Sequence, residues 1–348
     1  MTAEHTIALD AMGGDRGPEI VLAGAALSLE RNPELAFLLF GDQPEIEHQL
    51  ASRPTLRARC EIVHTDGLIE MDAKPAQAMR KGKGTSMWAA VEAVRDDAAA
   101  VAVSGGNTGA LMAISKLLLR PLGEIERPAI AAIWPTVHSE CIVLDVGANI
   151  GADSRQLCDQ ALMGAAMARA LYHVERPSVG LLNVGSEDVK GGEDVREAHA
   201  VLQRSTDLPI DYRGFVEGDH IGLGAVDVVV VEGFAGNIAL KTAEGTARQI
   251  GAYLKAAMTR TLMARIGAFL AQGGFRVLRQ KMDPRRINGG TFLGLNGLVV
   301  KSHGGTDALG FASAIDLGYE MGRSQLLGRI VDDVATFHGT LSEMATAD

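Results

Sequence analysis

VDVVVVEGFAGNIALKT, residues 226–242, sets the reading of the fold. Its opening run, Val226–Val231, is apolar on both faces, as a parallel strand covered by helices on either side must be. A Gly/Asn cluster follows, and then a segment with helical spacing. The same succession appears along the whole chain. The apolar runs are Thr6–Leu9, Ala36–Phe40, Glu61–His64, Ala99–Val103, Ala129–Trp134, Cys141–Leu144, Val179–Leu182, Val226–Val231 and Leu298–Val300. Strands alternating with Ala/Leu-rich helices predict βαβ units, hence a doubly wound, mostly parallel α/β sheet in an α/β/α sandwich. At 348 residues the chain has length for one α/β domain spanning 1–348, or for two lobes.

The loops that follow these runs carry the chemistry. They read DAMGGD (10–15), FGD (40–42), SGGNTG (104–109), DVGAN (145–149), NVGSEDVKGG (183–192), EGFAGN (232–237) and KSHGGTD (301–307). In an open parallel sheet the carboxyl ends of the strands share one edge, so these loops are expected to converge on one crevice. Free N–H groups at helix starts bind anions. With Lys190, Lys241, Lys301 and His303 nearby, the crevice is expected to hold phosphate or an acyl phosphate. Taken singly, Gly, Asn and Asp are also ordinary turn residues.

Composition excludes several classes. A net charge of −10 and 4% aromatic residues argue against a nucleic-acid partner. Cys60, Cys141 and Cys158 have no paired spacing, so neither a disulfide framework nor a zinc knuckle is indicated, and a reducing cytosol is the expected compartment. No signal-peptide pattern opens the chain and no apolar run approaches membrane-span length. GLGAVD (222–227) fails the dinucleotide fingerprint after its second glycine. Walker, HExxH and GxSxG motifs are missing, and the nine histidines lack ligand spacing, so no cofactor and no metal is expected.

One segment departs from the rest. Lys255, Arg260, Arg265, Arg276, Arg279, Lys281, Arg285 and Arg286 face a single acid, Asp283, which leaves the remainder of the chain at −17. Leu262, Met263, Ile266, Phe269 and Leu270, then Gly273-Gly274, then Phe275, Val277 and Leu278 predict two amphipathic helices joined at the glycine pair, a basic hairpin insertion over 245–288. Such a hairpin can lie on an anionic membrane, dock an acidic protein, or pack a dimer.

IALDAMGGD, SGGNTGALM, KLLLRPLGEIERPA, LDVGAN, LLNVGSEDVKG, VVVEGFAGNIALKT and LNGLVVKSHGG, in order from about Ile7 to Ile315, resemble the motifs of the PlsX family of bacterial phosphate acyltransferases. The resemblance implies a sheet fold like that of phosphotransacetylases and isopropylmalate-type dehydrogenases. It implies transfer of an acyl group from acyl carrier protein to inorganic phosphate, in phospholipid synthesis. It also implies a homodimer bound peripherally to the membrane, with a membrane acyltransferase consuming the product.

Phosphate is the nucleophile in that reaction, so no Ser or Cys nucleophile is required. Phosphate must be held, the oxyanion stabilised and the thiolate released. Backbone N–H groups at Gly13-Gly14, Gly105-Gly106 and Gly304-Gly305 suit the first two needs. Asn107 and Asn237 offer amide donors, Lys190 and Lys241 neutralise charge, and His303 exchanges a proton. Asp10 and Asp145 orient loops by accepting N–H bonds. Asp15, Ser104, Thr108, Asn149, Gly185, Glu187, Gly236 and Ser302 complete the expected binding loops. Duller roles stand beside these: Lys241 as a surface residue, Asn237 as a helix cap and His303 as a structural histidine. A phosphotransacetylase-like enzyme using acyl-coenzyme A and a non-catalytic docking scaffold are the alternative functions.

Overall fold

The computed structural model describes residues 3–281, 285 and 289–347, excepting the side chains of residues 3, 278–281 and 341–347. Strands β1 (Thr6–Asp10), β2 (Ala36–Gly41), β3 (Cys60–His64), β4 (Val101–Ser104), β5 (Ala129–Pro135), β6 (Glu140–Leu144), β7 (Ser178–Leu182), β8 (Asp211–Val216), β9 (Val228–Val230), β10 (Gly290–Leu293) and β11 (Leu298–Lys301) form one sheet. Their order is β3-β2-β1-β4-β11-β10-β5-β6-β9-β7-β8. Side chains alternate between faces, and both faces are dry. Ile7, Leu9, Val101, Val103 and Val300 enter one core, and Ala8, Leu38, Ala102 and Val299 enter the other. The sandwich is therefore α/β/α, as expected.

The helices are α1 (Pro18–Arg31), α2 (Gln43–Leu50), α3 (Pro54–Arg57), α4 (Pro75–Lys81), α5 (Ser86–Arg95), α6 (Thr108–Leu119), α7 (Ser154–Tyr172), α8 (Glu193–Arg204), α9 (Gly218–Leu223), α10 (Gly233–Thr259), α11 (Leu262–Leu270), α12 (Gln272–Lys281), α13 (Ala308–Arg323) and α14 (Leu326–Ala347). Side-chain caps set several starts: Asp42 accepts from Glu45 N–H, Asp153 from Gln156 N–H and Asp307 from Gly310 N–H. Among the described residues, no helix is long and apolar enough to cross a membrane.

Two expectations need correction. The first concerns strand direction. β10 is antiparallel to both β11 and β5, and β5 is antiparallel to β6. β6, β9, β7 and β8 are parallel to one another, so they run opposite to β1, β2, β3, β4 and β11. Their carboxyl ends lie on the other edge of the sheet, and the glycine-rich loops form two groups instead of one. The cause is the link between β5 and β6: residues 136–139 are too few for a crossover, which needs about a dozen residues, and can only turn the chain back.

The second concerns the hairpin. The two expected helices are α11 and α12, and they meet at Ala271, two residues before the glycine pair; a further break at Arg260–Thr261 divides α11 from α10, where the Thr261 hydroxyl accepts from Ala264 N–H (3.1 Å) and starts α11. Gly273 and Gly274 lie inside α12, in its first turn, where unpaired N–H groups make the loss of a side chain least disruptive. Asp283 and Arg286, and the side chains of Leu278, Arg279 and Lys281, lie outside the described residues. No residue from Gly245 to Val277 is buried.

Candidate active site

Three strand ends meet in register. Asp10 of β1 pairs with Ser104 of β4, and Ser104 pairs with Lys301 of β11. Ser104 Oγ donates to Asp10 Oδ2 (2.6 Å) and accepts from Gly106 N–H (3.0 Å). Asp10 is buried, and burial raises its pKa against the hydroxyl of Ser104 and the charge of Lys301. Among the described residues, nothing donates a hydrogen bond to its Oδ1. Lys301 Nζ donates to Gly105 O (3.2 Å) and to Ser302 O. Burial lowers its pKa to about 8, partly offset by the charges of Asp10 and Asp15.

The loops around this row are laced together. Asp15 N–H donates to Gly304 O (3.0 Å) and Ser302 N–H to Ser104 O (2.9 Å). A Cβ on Gly13 would lie 2.5 Å from Asp10 Oδ2, and Gly14 has φ +98° with Gly304 O 3.1 Å from its would-be Cβ. Both positions therefore require glycine. The row stands at the starts of α6 and α13, whose positive ends favour an anion.

His303 sits beside the row. Partial desolvation, then the cations Lys241 and Lys301, hold its pKa below the ordinary histidine value, so the ring is neutral at pH 7. Lys241 belongs to α10, which starts at the opposite edge and runs back along the sheet until its charge reaches Lys301 and His303. Its ammonium also pairs with Glu244 (3.1 Å). The crevice thus collects Asp10, Gly13, Gly14, Asp15, Ser104, Gly105, Gly106, Asn107, Thr108, Lys241, Ser302, His303 and Gly304.

Several of these residues have internal duties. Asn107 Oδ1 accepts from Ala110 N–H (2.8 Å), capping α6, and its Nδ2 donates to Met71 O (2.6 Å) and Ala73 O (3.3 Å). It clasps the 65–85 segment over the crevice instead of offering a free donor. Three of the six glycine N–H groups expected to hold phosphate are already engaged: Gly13 to Asp10 O, Gly106 to Ser104 Oγ and Gly305 to His303 Nδ1.

The opposite edge holds Asp145, Asn149, Gly185, Glu187, Lys190, Gly236 and Asn237. Asp145 Oδ1 accepts from the N–H groups of Ile130, Gly147 and Ala148, and Oδ2 accepts from Asn149. A Cβ on Gly236 would lie 2.0 Å from Asp145 O. Asn237 is not a cap, since Glu232 accepts from Phe234 and Ala235 N–H. Its amide instead donates to Val146 O (3.1 Å). Lys190 is exposed and 4.0 Å from Glu187. Its loop borders a cavity of about 320 Å³ lined by Leu157, Leu181, Val184, Val195, Val230 and Ala235.

Burial pushes the Cys60 and Cys141 thiols up to about 12 and Cys158 higher still, so none supplies a thiolate. No cluster of three metal-ligating side chains occurs among the described residues. By sequence Lys301 is one cation among four; its place at a strand end, in the KSHGG loop, is the signal that sets it apart. The covering segment 65–85 carried no motif at all.

A family model described as fatty acid synthesis protein matches residues 5–329. A phosphate acyltransferase of Afipia carboxidovorans is 59% identical over 349 residues, covering 100% of this chain and 99% of that one. One from Xanthobacter autotrophicus is 61% identical over 331 residues, covering 95% and 93%. Among solved structures, a phosphotransacetylase from Streptococcus pyogenes superposes with a TM-score of 0.61 at 18% identity, covering 91% of this chain and 94% of that one. The EutD phosphotransacetylase from Staphylococcus aureus gives 0.59 at 15%, covering 93% and 95%. At that identity the two structures speak for the fold alone.

Proposed function

The chain belongs to the phosphate acyltransferase family, so it is an enzyme that joins an acyl group to phosphate, and we propose that its donor is an acyl group on acyl carrier protein and its product an acyl phosphate for phospholipid synthesis. The observation that carries the siting of this chemistry is the Asp10–Ser104–Lys301 row, with Lys241 and His303 beside it. Phosphate binds over Lys301 and Lys241 at the starts of α6 and α13. A phosphate oxygen attacks the thioester carbonyl. As phosphate takes over the Gly305 N–H that His303 Nδ1 accepts (3.4 Å), neutral His303 receives the phosphate proton on Nδ1 while the O–C bond forms and returns it to the departing sulfur as the C–S bond breaks. Lys301, protonated, steadies the tetrahedral oxyanion. The thiol of the carrier leaves, and the acyl phosphate remains for a membrane acyltransferase.

The exposed basic, apolar hairpin supports peripheral attachment to an anionic membrane, and the same surface is available for pairing in a homodimer. The test is direct. Protein is incubated with long-chain acyl carrier protein, with and without phosphate, and acyl phosphate is trapped by hydroxylamine. Hydroxamate that requires both protein and phosphate is the expected result. Hydroxamate from acyl-coenzyme A but not from acyl carrier protein would replace the donor, and none from either would leave the scaffold reading.

A further inference from the structure

We infer that the exposed face of α4 and the turn after it is the docking surface for an acidic carrier protein that delivers the thioester. This inference rests on the carrier-donor reading above. From Ala73 to Val91 the sequence contains Lys74, Arg80, Lys81 and Lys83 and no acid; Glu70 and Asp72 precede it. All four cations are exposed, and among the described residues none is paired with a carboxylate. On a chain of net charge −10 this is a local cationic face, and charge complementarity selects an acidic partner. Leu68, Met71 and Met79 are 47%, 43% and 41% exposed around it, giving adaptable apolar contacts between the charges.

Position ties this face to the crevice. The segment is pinned by the Asn107 amide at Met71 O and Ala73 O, beside the start of α6. A Cβ on Gly109 would lie 3.0 Å from Pro75 Cγ, and one on Gly304 would lie 2.7 Å from Met71 Cε. Gly109 is the second residue of α6 and Gly304 lies in the loop after β11, which Lys301 ends. A protein held on α4 therefore stands at the rim of the reacting row, and a flexible thiol arm can enter from it. A free small thioester has no need of the cations, which touch none of the row.

The test is steady-state kinetics on the full chain with palmitoyl-acyl carrier protein as varied donor at saturating phosphate. Lys74→Glu/Arg80→Glu/Lys81→Glu/Lys83→Glu should raise KM for the carrier by about tenfold or more with kcat nearly unchanged, because encounter and docking are weakened and chemistry is not. Wild-type KM should climb with added salt, and the climb should flatten in the variant. The corresponding Lys→Arg variant should keep wild-type KM. An unchanged KM in the Glu variant overturns the docking face alone. So does a KM rise produced instead by Lys255→Glu/Arg260→Glu/Arg265→Glu in the hairpin. A fall in kcat with KM fixed would put the cations in the chemistry and overturn docking. Wild-type protein that accepts acyl-coenzyme A but not the acyl carrier protein overturns the donor reading, and the docking face with it.

Discussion

At neutral pH Lys301 is protonated, because burial lowers its pKa only to about 8. Its charge is present below that value and lost above it. KM for phosphate should therefore rise as pH passes 8. Lys301→Arg should move this alkaline limb beyond pH 10, since a guanidinium stays charged. Lys301→Met should abolish the limb and cost about 10²-fold in kcat/KM. A pH–rate profile at several phosphate concentrations checks all three; a Met variant retaining the limb would remove Lys301 from phosphate binding. Asn107 makes a second separable case. Asn107→Ala should cost about 1 kcal/mol through the lost α6 cap. Asn107→Asp keeps the cap acceptor but loses the donor to Met71 O and Ala73 O, so urea midpoints should stay near wild type while activity falls. This role was legible in part: Asn immediately before a helical run signals a cap. Its grip on Met71 was not, because no local pattern joins positions 36 residues apart.

Helices α7 and α14 are joined by a buried carboxylate–imidazole contact between Asp159 and His338. His338 Nε2 lies 2.7 Å from Asp159 Oδ1, and Nδ1 lies 2.8 Å from Glu124 Oε2, with Arg155 also at Nδ1. Burial raises Asp159 to about 6, and His338, then Arg155, pull it down. His338→Leu leaves that carboxylate buried beside a less effective partner and should cost about 3–5 kcal/mol. The sign follows from protonation: the deficit is largest above pH 6, where Asp159 is ionised, and shrinks at pH 5, where it takes up a proton. Urea unfolding at the two pH values measures it, and a pH-independent deficit would count against the pair. Asp159→Leu/His338→Leu should recover much of the loss. The sequence hides this pair, whose members are 179 residues apart. It does not hide the β5–β6 reversal. A four-residue link excludes a parallel crossover, so link length alone divides the glycine loops into two groups.

Across the whole molecule, the reversal places two loop clusters on opposite edges, while α10 spans the distance and carries Lys241 from one toward the other. The doubly wound core is legible because strand runs apolar on both faces admit few alternatives, and the edge assignment is legible only through the short β5–β6 link, since the loops themselves look alike on both edges. Beyond Gly245 the chain leaves the core, and Leu262, Met263, Phe269 and Leu270 are between 68% and 79% exposed beside Lys255, Arg260 and Arg265. Apolar side chains at helical spacing with cations between them suit an anionic bilayer surface, where burial and charge attraction add. Binding to phosphatidylglycerol vesicles should weaken with salt, since exposed charges are screened over about 10 Å at 0.1 M. Phe269→Glu/Leu270→Glu should abolish it while leaving turnover in solution near wild type, because neither side chain approaches the Lys301 row. Sedimentation with vesicles, beside gel filtration of the same variant, separates the two uses of this surface: lost vesicle binding with an unchanged elution volume assigns these residues to lipid, and retained binding with a shift to a smaller species assigns them to a partner copy of the chain.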